Sequence, residues 1–197
     1  ELDKVKPRAE VAQRAIDENI TIHFGDVMPL CHLKNAELAK EYQRYKGRIV
    51  FRGDKVKDEY GCFAVFSEQG ASASQLAAMK ILDAIARLPG NDGENGDALS
   101  AYTQVSLAEA ARLLGIGVIP ETWITIPKSW QPKSWEGIKD PVCPLRLNLY
   151  GHPLAGLLLE KFCEEKLLAE GFEKVSSWEC LYVHRDQQIF LSVYVDD

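Results

Sequence analysis

The chain has 197 residues, enough for one large domain or two small ones with a real core. Hydrophobic residues make up 46% and charged residues 26%, which excludes a disordered or low-complexity chain. The net charge of −6 argues against a general polyanion binder unless the cations are clustered. Five cysteines at positions 31, 62, 143, 163 and 180 show no zinc-ligand spacing and no disulfide framework. Reduced thiols point to an intracellular compartment, cytoplasmic or nuclear. No apolar run approaches a membrane span, so no membrane partner is expected. Glu1 to Lys4 does not read as a signal peptide. A first residue other than Met and a last residue inside a motif suggest a piece of a longer polyprotein.

In chain order, residues 1–22 form a charged N-terminal extension with a short helix from Ala9 to Ile16. His23 and His32 flank the next segment. Two histidines without a carboxylate at helical spacing are structural more often than metal-ligating. Residues 36–44 read as a helix end. From Tyr45 to Gly53 the period changes to two, as in a strand. Lys46, Arg48, Val50 and Arg52 then share one face; Tyr45, Ile49 and Phe51 share the other, with Ile49 and Phe51 expected in the core. Between Arg44 and Lys57 stand six Lys/Arg against one Asp, the only concentrated cations in an acidic chain. Such a strand is either a solvated face or a phosphate-binding one, because alternating cations aim at one anion.

Ser72 to Leu88 reads as a helix capped by Ser74, with Leu76, Met79, Ile81, Leu82, Ile85 and Leu88 as a core stripe. A Gly-rich loop follows. Asp97 then opens a run of small residues with Tyr102 five positions on. Residues 105–115 read as helical, and Glu121 to Pro127 as a strand. Cys143 to Leu149 is a strand or turn. A helix runs from Pro153 to about Glu170, closed by Gly171. Leu181–His184 and Ile189–Val195 form a hairpin that ends in Asp196-Asp197. Adjacent carboxylates at a strand end repel unless a cation lies between them. The alternative is a charged, solvated strand tip.

Taken together, Tyr45 to Gly53, Asp97 to Tyr102, Leu149-Tyr150-Gly151, Gly171-Phe172, Leu181-Tyr182-Val183 and Tyr194-Val195-Asp196-Asp197 resemble, in order, the reverse transcriptase domain of copia-type long-terminal-repeat retrotransposons. The resemblance covers roughly residues 20–197 and implies an α+β polymerase fold of fingers and palm. In it an antiparallel sheet is backed by helices and the chain stops before the thumb. Residues 23–90 are the fingers-like region with the first palm helix; residues 91–197 are the palm-like region.

The implied activity is RNA-directed DNA polymerisation with two Mg²⁺ ions, or Mn²⁺, about 3.5–4 Å apart. By resemblance Asp97, Asp196 and Asp197 are the catalytic carboxylates, and the Ala98 carbonyl joins them as a metal ligand. Asp92 is a rival to Asp97. The family brings Asp97 and Asp196 together on adjacent palm strands. Lys46, Arg48, Arg52, Ala101 and Tyr102 are the implied nucleotide contacts, with Tyr102 under the incoming sugar. Tyr150, Gly151 and Tyr194 are the implied template and primer contacts. The implied partners are a primed RNA or DNA template, a deoxynucleoside triphosphate, and the thumb and RNase H parts of the polyprotein. A catalytically dead remnant that binds nucleic acid or protein is the alternative, favoured by Leu154-Ala155-Gly156 where the family has Gln-Ala-Pro. A metal-dependent hydrolase would need a general base that the sequence does not offer.

Overall fold

The computed structural model describes residues 1–66 and 74–194. Its strands and α-helices run β1 (Lys6–Pro7), α1 (Arg8–Glu18), β2 (Ile22–Lys34), β3 (Arg44–Phe51), α2 (Leu76–Ala86), α3 (Ala110–Leu114), β4 (Glu121–Thr125), β5 (Pro141–Pro144), α4 (Ala155–Ala169), β6 (Glu173–Lys174), β7 (Leu181–His184) and β8 (Ile189–Ser192). The class is α+β. The chain divides into two compact units, each built from two segments: Glu1–Val65 with Val118–His152, and Phe66–Gly117 with Pro153–Asp197. The expected boundaries at residues 22/23 and 90/91 fall inside these units.

The first unit carries a five-stranded sheet in the order β1-β5-β4-β2-β3. The sheet is mixed, a correction to the antiparallel expectation: β2 runs parallel to β4 over Ile22–Asp26. Beyond Asp26, β2 changes partner and pairs antiparallel with β3 from Val27↔Phe51 to Lys34↔Arg44. The core of the unit is Val11, Ala15, Ile22, Phe24, Trp123 and Val142. Helix α1 contributes Val11 and Ala15 from one face, four residues apart. Asn19 ends it in the left-handed conformation, returning its N–H to the last turn. Arg8 fastens the start of the helix, donating to Asp140 at 2.7 Å and to Thr125 Oγ1 at 2.8 Å.

The second unit carries the sheet β6-β7-β8, all antiparallel, beside α4. Leu158 and Leu159 of α4 are buried, as are Cys180, Leu181 and Tyr182. Gly171 closes α4 at φ +89°, while Phe172 N–H returns to the Leu167 carbonyl. The Arg112 guanidinium of α3 pairs with Glu165 of α4.

Two packing expectations are corrected. In β3 Phe51 is buried, at 2% exposure, but Ile49 is 51% and Tyr45 80% exposed. Alternation sorts side chains onto faces, and the apolar face of this strand is covered only at its inner end. In α2 Ala78 is buried, whereas Leu76, Met79, Ile81 and Leu88 of the expected core stripe are exposed. Ser74 does not cap that helix; Gln75 occupies the cap position, and the buried Ser74 hydroxyl meets Ser192 instead. Residues 72 and 73 lie outside the described residues. Among the described residues, no helix is long and apolar enough to cross a membrane.

Candidate functional site

In the first unit the candidate residues gather where β3 meets the turn after Asn148. Phe51 N–H donates to the Tyr150 carbonyl at 2.7 Å, which sets the turn against the end of β3. Gly151 has φ +82°, and a Cβ there would stand 2.1 Å from the Phe51 carbonyl oxygen, so only glycine fits. His152 N–H closes the turn on the Leu149 carbonyl at 3.0 Å. The Arg48 guanidinium lies over the Tyr150 ring, 5.5 Å from its centre. Arg48 and the Tyr150-Gly151 turn, far apart in sequence, are thus neighbours. Arg52 follows, its N–H on the Asp26 carbonyl at 2.8 Å and its guanidinium 3.7 Å from Asp54. Lys46 is exposed, two residues further out along β3 than Arg48.

Behind this corner lies a buried polar group: His23, Thr122, Asn148 and His152. His152 Nε2 is 3.2 Å from Thr122 Oγ1, and its ring tilts against Phe51 with centres 5.1 Å apart. Burial, reinforced by the nearby His23, pushes the His152 imidazole down to about 4. Burial also lowers His23, against the pull of Glu59 and Asp58. Both rings are therefore neutral at physiological pH and serve as packing. His32 stands exposed near the outer end of β2.

The second unit holds the carboxylate motifs. Asp97 and Ala98 are exposed in a stretch, residues 91–98, without regular secondary structure. No described strand carries Asp97, which corrects the expected strand-end placement. Asp92 is equally exposed. Ser100 turns the chain at φ +52° into a 3₁₀ turn over Ala101–Gln104. Ala101 is half-buried; Tyr102 is buried, at 5% exposure, with its ring in the core of the unit.

In the hairpin β7–β8 the second strand ends at Ser192, two residues before Tyr194. Beyond β8, Val193 N–H donates to the Cys180 carbonyl at 2.8 Å, and Ser74 N–H donates to the Val193 carbonyl at 3.0 Å. Ser192 Oγ donates to Ser74 Oγ at 2.5 Å. Tyr194 is exposed. Asp196 and Asp197 lie outside the described residues, so the expected approach of their carboxylates to Asp97 has no described geometry. Among the described residues, no three His, Cys, Asp or Glu side chains are grouped to hold a metal ion.

Sequence reasoning missed β2 as a strand and, with it, the placement of His32 and Lys34. The register Leu30↔Arg48, His32↔Lys46 and Lys34↔Arg44 places His32 and Lys34 on the same face as the β3 cations. The alternation of His32 and Lys34 with Cys31 and Leu33 was a usable signal, masked by Pro29. Pro29 sits where β4 no longer flanks β2, the kind of free edge that tolerates proline. Compared with protein-family models, curated proteins and solved structures, the chain matches none of them.

Proposed function

We propose that the chain is part of an RNA-directed DNA polymerase of the retrotransposon reverse transcriptase kind, with the fingers and palm of that fold. The observation that carries this reading is that the hairpin strand β8 is fastened at its end, by Ser74 and Cys180, immediately before the sequence Tyr194-Val195-Asp196-Asp197. The neighbourhood of Arg48 and the Tyr150-Gly151 turn supports it, because two motifs assigned to substrate meet at one corner.

The divalent ions would be held by Asp97, Asp196, Asp197 and the Ala98 carbonyl. These are hard oxygen donors of the type Mg²⁺ and Mn²⁺ require. The exposed Asp97 carboxylate is paired with no described cation, which leaves its oxygens available. Bound there, such ions supply the charge that activates a primer hydroxyl and steadies a triphosphate. The protein's own part is positional. Arg48, with Lys46, draws the triphosphate by charge-assisted hydrogen bonds, while Arg52, beside the Asp54 carboxylate, is held for nucleotide or template. By resemblance, Tyr150, Gly151 and Tyr194 would each contact template or primer.

The second reading, a non-catalytic nucleic-acid- or protein-binding remnant, is favoured by one observation: the stretch around Asp97 forms no strand. Mn²⁺ line broadening in NMR separates the two. Under the polymerase reading, one equivalent of Mn²⁺ broadens the amides of Ala98–Ser100 and of Val193–Tyr194 together, and Asp97→Asn abolishes both effects. Broadening at only one of the two segments, or none, contradicts the shared site.

A further inference from the structure

We infer that the outward face of the β2–β3 hairpin is a track for the phosphate backbone of single-stranded nucleic acid, with Lys34 and Arg44 as its outer grips. The register decides which side chains share that face, since directly paired residues point the same way. The pairs on it are Met28↔Val50, Leu30↔Arg48, His32↔Lys46 and Lys34↔Arg44. Four permanent cations and one imidazole therefore stand in file. No Asp or Glu occurs anywhere in the eight paired positions of either strand, although the chain as a whole is acidic. Glu37 and Glu41 belong to the connecting loop, outside the ladder.

Lys34, Arg44 and Lys46 are exposed and pair with no described carboxylate. Successive same-face positions on a strand are about 6.6 Å apart, so the row from Met28/Val50 to Lys34/Arg44 is about 20 Å long. A linear row of cations suits a linear polyanion better than a compact one, which two or three of them would satisfy. At the inner end Met28, Leu30 and Val50 share the face, and the Tyr150 ring lies under Arg48. Apolar and aromatic surface beside a cationic groove is what unstacked bases rest on. A double helix offers no such bases, and an acidic peptide would leave that surface unused.

This inference rests on the proposed nucleic-acid reading of Arg48 and Lys46, which would grip the strand when no triphosphate is bound, and strand binding is measured without metal, without triphosphate and without primer extension. The probes are fluorescent deoxythymidine and uridine oligomers of about 12 nucleotides, within the usual site size. Anisotropy is followed between about 50 and 200 mM KCl. With four cations engaged, log K should fall with log salt at a slope of about −3. Lys34→Ala with Arg44→Ala should weaken binding about tenfold or more and flatten the slope by about 1.4. Lys34→Arg with Arg44→Lys, which keeps the charge, should bind like the parent. Lys128→Ala with Lys133→Ala, exposed cations elsewhere in the same unit, should change nothing. Unchanged affinity and slope in the Lys34/Arg44 alanine pair overturns the inference. So does displacement of the oligomer by polyglutamate at equal charge, which would assign the face to an acidic protein segment.

Discussion

The two hairpins differ in what holds them. β2–β3 has eight residue pairs, but burial is confined to its base, at Val27 and Phe51, and its outer pairs are largely exposed. β7–β8 has four pairs, yet it is fastened by the buried Leu181 and Tyr182 and by the Ser74–Ser192 contact past its end. One is a ladder extended into solvent with charge along a face. The other is a short anchored support for whatever follows Tyr194. A surface that draws a flexible ligand needs reach and charge, whereas a site that places reacting atoms needs rigidity.

Mutations along β3 break this comparison most sharply. Phe51→Ala should cost about 4 kcal/mol in urea unfolding, because it empties space at the base, beside His152 and the Gly151 turn. Ile49→Ala, two residues outward on the same face, should cost less than about 0.5 kcal/mol. Similar losses at both positions would mean that the apolar face is covered along its whole length.

The buried imidazoles at the base give a pH test of intermediate size. Folded His152 stays neutral down to about pH 4, while an unfolded histidine takes a proton near pH 6.5. The unfolded state therefore binds more protons in this window. Stability is intact above about pH 6.5 and falls as pH drops toward 4, by roughly 3 kcal/mol in all. Urea titrations across that range should show the fall, and His152→Gln should flatten most of it. An equal pH dependence in the variant would move the effect to other groups.

At β8 the expected change is smaller and local. Ser74→Ala removes one hydrogen bond, worth about 1 kcal/mol. Amide exchange at Ser192–Tyr194 should speed up while that of β2 and β4 stays unchanged. Unaltered exchange would show that the backbone contacts of Val193 suffice as the anchor.

What the sequence made legible follows from where periodicity is strong. Helix α1, strands β3 and β4, helix α4 and the β7–β8 hairpin all lie where the alternation or helical spacing puts them. Burial was less legible. Leu76, Met79, Ile81 and Leu88 were expected in the core and are exposed, because spacing alone cannot say whether anything covers a side chain. Strand β2 was hidden because Pro29 argues against a strand, and only the change of partner at Asp26 makes it tolerable. For the site, the residue types were visible and their meeting was not. Nothing in the spacing of Arg48 and Tyr150 announces a cation over a ring; that follows from the Phe51 N–H on the Tyr150 carbonyl. Likewise the strand expected at Asp97 depended on the resemblance, and the polar Gly93-Glu94-Asn95-Gly96 before it lacks the apolar side chains a buried strand requires.

The central claim is metal-dependent polymerisation through Asp97, Asp196 and Asp197, and primer extension on an RNA template tests it directly. A longer chain that carries these 197 residues should extend a DNA primer with Mg²⁺ or Mn²⁺. Asp196→Asn in the longer chain should lower the rate by at least about 100-fold, since removing a positioned ligand misplaces the reacting groups. Extension by the longer chain that survives both Asp97→Asn and Asp196→Asn, or no extension with either metal, would contradict the account.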